Sequence, residues 1–320
     1  MVLQRLARSR SAWAPLLESR PHARQFHASS ISRLHEVPNL SYKEQFEARG
    51  VPGLLDQPAY DVAWRQNMEH LVERLNKATM SKYHQHCLQG SIHLTQSLKD
   101  TDFEQSSTKQ LILQFARNPQ YAPVFAAASM AHNTHFFFDG LGVGIDSEKL
   151  EAFPTLEKAL IASFGNIDTL WRVMLSKASA MTGPGFVWLV QATKRSTSSI
   201  GNNTPEFRLL VTYNAGTPYA EAGVRQQGAD LSTSEGYNGS AGSFGPTSTR
   251  ERATPKLPPG TELITPVLCV STWEHAYLRQ YGVGGKQQYL INWWKAINWG
   301  AVDQKMIKPS DKPNGKFVEK

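Results

Sequence analysis

Apolar residues recur at helical spacing over 60–80, where Val62, Trp64, Met68, Leu71, Val72 and Leu75 fall on one side of an amphipathic helix. A second helical pattern covers 108–138, interrupted at 118–123, where Pro119 and Pro123 cannot sit inside an unbroken helix. Two helices joined by a polar connection predict a helical hairpin. Asp139 and the glycines between 140 and 147 mark its end. Beyond that point LEKALIASF and IDTLWRVMLSKASAM read as two further helices, and FVWLVQAT, FRLLVTYN and LITPVLCVS, rich in β-branched and aromatic residues, read as three strands. A last helix is expected over 285–297, followed by a tail dotted with Lys305, Lys308, Lys312, Lys316 and Lys320. The fold class predicted is α+β.

One stretch breaks the pattern. Residues 223–260 hold 7 Gly, 5 Ser, 4 Thr and 4 Pro, which leaves too few apolar side chains to offset the entropy of ordering them. A long polar insertion between the second and third strands is the expectation. The first 33 residues stand apart in another way, with six arginines against the single acid Glu18 and many serines. That composition is the one of a mitochondrial transit peptide, and Arg24, Phe26 and Ser29 match a two-step cleavage pattern that would leave Leu34 as the mature start. A basic arm that stays attached is the alternative. The organisation expected is therefore a transit peptide at 1–33, a helical hairpin domain at 34–145, a C-terminal α/β domain at 146–306 that carries the insertion, and a basic tail at 307–320.

Charge changes its meaning once located. The chain of 320 residues has a formal charge of +7, but the leader holds +5 of it, so the remainder carries only +2 and is no basic nucleic-acid domain. Cys87 and Cys269 are the only cysteines, too few for a disulfide scaffold or a zinc finger. No apolar run approaches the ~20 residues of a membrane span. His84, His86 and Cys87 lie close together in a polar stretch and read as solvated loop residues rather than a metal clip. The glycines of GLGVG lack the strand-then-helix setting of a nucleotide loop.

Six segments carry the chemistry: AHNTHFFF at 131–138, FGNIDTLW at 164–171, GPGFVWL at 183–189, NAGTP at 214–218, WEHAY at 273–277 and INWGAV at 297–302. In this order they resemble the iron/manganese superoxide dismutase family, over about 51–306. The resemblance implies an N-terminal helical hairpin and an α/β domain with a three-stranded antiparallel sheet. It also implies a metal held by three histidines and one aspartate. Two of those positions match donors, His135 and His275. The aspartate position falls on Ser271 and the first histidine on Ala63, and His70, seven residues further along the helix and about 10 Å away, cannot stand in for it. The active-site tyrosine falls on Leu71, and the glutamine that bonds the metal's solvent falls on Ala131 or Ala215. His135 and His275 are therefore expected as packed, hydrogen-bonded core histidines, with no metal, no cofactor and no enzymatic activity.

The same resemblance places Glu274 on a subunit interface, where it would reach across to the partner's histidine, with Asn67 and Leu278 where a His and a Tyr pair across the dimer. Those changes point away from a self-dimer and toward a heterodimer with a related chain. A chain of this family with a mitochondrial address and lost ligands resembles the fungal mitochondrial small-subunit ribosomal proteins of this fold. That implies a structural component of the mitochondrial ribosome in the matrix, contacting small-subunit proteins and presenting its tail to rRNA. A mitochondrial dismutase with an altered site is the alternative.

Overall fold

The computed structural model describes residues 35–80, 106–145, 148–193, 206–222 and 263–307. The expected transit peptide, the His84, His86 and Cys87 group, the insertion at 223–260 and the tail from Lys308 lie outside these residues.

The hairpin begins with two elements that periodicity did not show, α1 (Lys43–Arg49) and the short α2 (Gln57–Tyr60). A π-helical turn, Asp61–Gln66, leads directly into α3 (Asn67–Met80). Then α4 (Thr108–Phe115) starts at a capping box in which Ser107 and Gln110 each bond the other's backbone amide. The break falls where the prolines require it. A 3-10 turn at Pro119–Tyr121 separates α4 from α5 (Ala122–Asp139), with Pro123 in the first turn of α5, where a missing N–H costs nothing.

Two helices, α6 (Pro154–Phe164) and α7 (Ile167–Ala180), precede the strands β1 (Gly185–Thr193), β2 (Glu206–Tyr213) and β3 (Leu263–Ser271). The sheet is antiparallel, in the order β2-β1-β3. Pro266 has no N–H for a ladder. It lies on the edge strand β3, where the register with β1 slips between Leu189 and Val190. The chain then passes through a 3-10 turn, Glu274–Ala276, into α8 (Leu278–Tyr281), α9 (Lys286–Lys295) and α10 (Trp299–Lys305), the last started by Asn298, whose side chain accepts from the Ala301 amide. Lys305 thus belongs to α10 rather than to the tail. Its ammonium lies 2.9 Å from Asp139 and 4.4 Å from the centre of the Phe136 ring.

One hydrophobic core runs through hairpin and sheet alike, from Phe46, Tyr60 and Phe138 to Trp188, Leu268, Tyr289 and Trp293. Its aromatic rings meet edge to face and tilted, as Tyr60 does with Phe138 and Trp64 with Phe138. Two polar devices fix its borders. After α5 the glycine-rich loop turns the amides of Val143, Gly144 and Ile145 onto the buried carboxylate of Glu148 at 2.9, 2.8 and 3.2 Å. Gly142 is required beside it, since a Cβ there would run into that carboxylate. The loop is an anion nest filled by the chain's own acid.

The second device joins α4, α5 and the segment after β2. His132 Nε2 lies 2.7 Å from the Tyr219 hydroxyl and Nδ1 lies 3.3 Å from Thr108 Oγ1. Burial holds the Tyr219 phenol protonated, so it donates to Nε2, and Nδ1–H donates to Thr108. Burial first, then the charges of His135, Lys109 and Lys305, push the imidazole down to about 4.

Two outcomes follow for stability. Glu148→Ala leaves three amides facing a void and is expected to cost about 2–4 kcal/mol, with loss of amide exchange protection at 143–145, while Glu148→Gln recovers part of it. For His132 the folded value is depressed, so the unfolded chain binds the proton first. Stability is therefore lost as pH falls from about 6.5 to about 4, by up to about 3 kcal/mol, and no further below that. Thermal melts across this window should show a smaller decline for His132→Gln than for the native chain; equal slopes would refute the assignment.

Candidate metal centre

The π-helical turn inserts one extra residue into the start of α3 and sets Ala63 facing inward, 1% exposed. One helical stride on, Asn67 lies half-buried and Leu71 is buried on the same side. From α5 the face toward them carries Ala127, Ala131, Thr134 and Phe138, all buried. The end of β3 brings Ser271, and the turn after it brings His275.

His275 is half-buried, with its ring 5.5 Å from Trp273. Its Nε2 is 3.2 Å from Asn67 Nδ2. An amide nitrogen only donates, so Nε2 accepts, and the ring's lone pair at that atom is occupied by Asn67. Burial, opposed only in part by Glu274, lowers its pKa, which keeps the ring neutral and able to accept. Ser271 is 3% exposed and also engaged. Its Oγ accepts from the Trp273 amide at 3.3 Å, and its carbonyl accepts from Tyr289 at 3.1 Å.

His135 is placed differently from expectation. It lies on the less buried side of α5, where Nε2–H donates to the Asn39 carbonyl at 3.1 Å and the ring neighbours Trp64 at 6.1 Å. It is hydrogen-bonded but not part of the core, and the residue on the inward face is Thr134, one position earlier. Helical spacing carried the signal: counting on from Ala127 and Ala131 by three and four residues leads to Thr134 and Phe138. The structure thus does not bring His135 and His275 together as a pair.

Of the four positions that the family resemblance singled out, Ala63 gives a methyl group and Ser271 a hydroxyl already bonded to backbone. His275 gives a nitrogen already bonded to Asn67, and His135 points to a backbone carbonyl. Among the described residues no three of His, Cys, Asp and Glu gather as a metal-holding group. Leu71 and Ala131, both buried, and Ala215, packed against the same core, add only apolar surface. This donor set does not fit an iron or manganese ion, which needs several unengaged imidazole or carboxylate donors at one point.

The expected interface residues divide. Glu274 and Leu278 are exposed, Leu278 by 37%, and stand together at the surface. Asn67 has turned its amide inward to His275, so it is half-buried within its own chain rather than free for a partner. Cys269 is free and fully enclosed in β3.

Comparison with known proteins matches 238–305 to the C-terminal domain of iron/manganese superoxide dismutases. The small ribosomal subunit protein mS43 of Schizosaccharomyces pombe is 27% identical over 280 residues, 85% of this chain and 84% of that protein. The small ribosomal subunit protein mS42 of the same organism is 30% identical over 200 residues, 61% of this chain and 71% of its own length. An iron superoxide dismutase of Campylobacter jejuni is 25% identical over 216 residues, 66% of this chain and 72% of the enzyme. With an α+β architecture, a three-stranded antiparallel sheet and these relatives, the chain belongs to the iron/manganese superoxide dismutase family, on the branch that carries mS42 and mS43.

Proposed function

We propose that this chain is a structural component of the small subunit of the mitochondrial ribosome and not an enzyme. The observation that carries the reading is the engaged state of the one well-placed donor. His275 gives its Nε2 to Asn67 and faces Ala63 and Ser271 positions that supply no charged ligand, while Leu71 and Ala131 close the space. Resemblance to mS43 along most of both chains supports the ribosomal assignment.

Residues 1–33 act as the mitochondrial address, removed to leave Leu34. The hairpin at 34–145 and the α/β part at 146–306 form the body, and the chain beyond Ile307 is the basic tail. The body pairs with a related chain of the same fold through Glu274 and Leu278. In a self-pair Glu274 would accept from the Nδ1–H of His275 of the partner subunit, the nitrogen left protonated when Nε2 accepts from Asn67, so that contact alone does not separate a self-pair from a mixed pair. The altered companions Asn67 and Leu278, which stand where the family resemblance places a His and a Tyr, favour a heterodimer with a related chain.

Four outcomes are expected. Protein starting at Leu34 should contain far less than one iron or manganese per chain by elemental analysis and show no dismutase activity. Ala63→His combined with Ser271→Asp should take up some metal and still turn over little, because Leu71, Ala131 and Ala215 leave the ion's solvent without a hydrogen-bond partner. Stoichiometric metal with activity in the native chain would overturn the reading. In mitochondria the chain should begin near Leu34 and sediment with the small ribosomal subunit at moderate salt. Glu274→Lys should abolish co-purification of the related chain while leaving the melting temperature of the body within a few degrees.

A further inference from the structure

The sheet has two edges, and they are built differently. On β3, Pro266 lacks an amide and the register slips beside it, two devices that discourage a further strand from adding there. On β2 neither is present. Its eight residues pair with β1 without a slip and contain no proline, and its charged residues, Glu206 and Arg208, are bonded to each other at 3.0 Å at the start of the strand.

The phase of the ladder between β1 and β2 is set at its end. The Asn214 amide donates to the Pro184 carbonyl at 3.0 Å, one step beyond the pair Gly185 and Tyr213. Antiparallel pairs exchange bonds at every second position, so Thr212, Leu210 and Arg208 bond β1, and Phe207, Leu209, Val211 and Tyr213 turn their peptide groups outward. Phe207 shows the direction, since its amide donates to Ser163 Oγ of α6 at 3.0 Å. The Tyr213 carbonyl accepts from the Gly216 amide at 2.9 Å. The N–H and C=O of Leu209 and of Val211 meet no group of the described residues. Side chains are left unfinished here as well. Leu209, Leu210 and Val211 pack on the main core yet stay half-buried, and Tyr213 is 50% exposed.

We propose that the outer edge of β2 is a strand-addition site, filled by an extended, uncharged segment of a neighbouring protein in the small ribosomal subunit. The inference rests on the ribosomal reading above and adds a class of partner to it. Donors and acceptors recur along 209–211 at the ~7 Å repeat of a strand, and another strand is the ligand that answers both. A helix has spent its own amides and carbonyls, and a phosphate backbone offers acceptors that would leave the two carbonyls unpaired. Because 209–213 carries no charge, the facing positions of the added segment are uncharged, and β-branched or aromatic residues there would finish the burial of Leu209 and Val211. The flanking stretches of this chain do not suit the place. Residues 194–205 have Ile200 as their one aliphatic side chain, and 223–260 is interrupted by 7 Gly and 4 Pro.

The test follows single backbone amides by hydrogen exchange in the full chain, first purified alone and then within small subunits isolated from mitochondria. Alternation is the readout. The amides of Leu209, Val211 and Tyr213 are expected to exchange fast in the isolated chain and to slow by about 100-fold or more in the subunit, whereas those of Leu210 and Thr212 are slow in both. A photoreactive phenylalanine analogue in place of Tyr213 should crosslink, within the subunit, to a protein peptide of alternating apolar residues. Val211→Pro removes an outward amide without touching the bonds to β1, so it should cut that crosslink by about tenfold or more while the melting temperature of the isolated chain moves by only a few degrees. Should that variant fail to fold, the exchange pattern of the native chain decides alone. Slow outward amides in the isolated monomer would put the chain's own residues on the edge, and slow amides together with a dimer by sedimentation would put a second copy there. Either result overturns the proposal, as do outward amides that stay fast in the subunit or crosslinks to RNA in place of protein. Absence of the chain from the small subunit overturns the ribosomal reading, and this inference with it.

Discussion

The π-helical turn before α3, the inward face of α5 and the turn after β3 converge on one small volume, and that volume has to be filled by the chain itself. Ala63, Leu71 and Ala131 fill it with apolar surface, and Asn67 ties α3 to His275 across it. Full burial of a leucine contributes about 2 kcal/mol, and here no charged group has to be desolvated in exchange. At this volume the hairpin therefore closes onto the C-terminal part by packing and a neutral hydrogen bond, Asn67 to His275. Everything outside the volume, from the shared aromatic core to the Tyr289 bond on the Ser271 carbonyl, is arranged around that closure.

Most of the fold was legible because local and tertiary signals agreed. Pro119 and Pro123 stop one helix and open the next in both the pattern and the structure, and the three strands stand within a residue or so of the β-branched runs. What stayed hidden has physical reasons. The helix α1 buries only Phe46 among seven residues, so no apolar period announces it. The start of α10 is signalled by Asn298 alone. His135 was misplaced for a subtler cause. Motif matching follows residue type, whereas burial follows the helical stride, and the two diverge by one position at Thr134. Neither the Asn67–His275 bond nor the bond of the Gln191 side chain to the Ile307 amide could be read from sequence, since each joins residues more than a hundred positions apart.

Apart from the Glu148 carboxylate in its nest of amides, the polar interior among the described residues is made of neutral groups. His132 sits between a phenol and a hydroxyl, Asn133 reaches the Gly216 carbonyl and Thr272 reaches the Gly185 carbonyl, and each bond joins one segment to another distant in the chain. Bonds of this kind contribute about 1 kcal/mol each but demand one geometry, which suits a part whose work is to hold a shape. Charged pairs such as Arg172 with Asp168 and Lys77 with Glu73 are left at the surface, where they weigh little.

The first described residue is bound on arrival. The His35 amide donates to Asn76 Oδ1 at 2.9 Å, and Asn76 Nδ2 donates back to the His35 carbonyl at 3.0 Å, so the N-terminal strand of chain is stitched to α3. A processing protease must take its substrate as an extended, freely moving strand. With a cut placed after Arg33, only Leu34 would separate the scissile bond from a backbone already locked in place. Under the proposed cut after Arg33 the order of events would be set by reach rather than by rate: removal of a leader would have to come before Asn76 captures His35, and a chain that folded first would keep it.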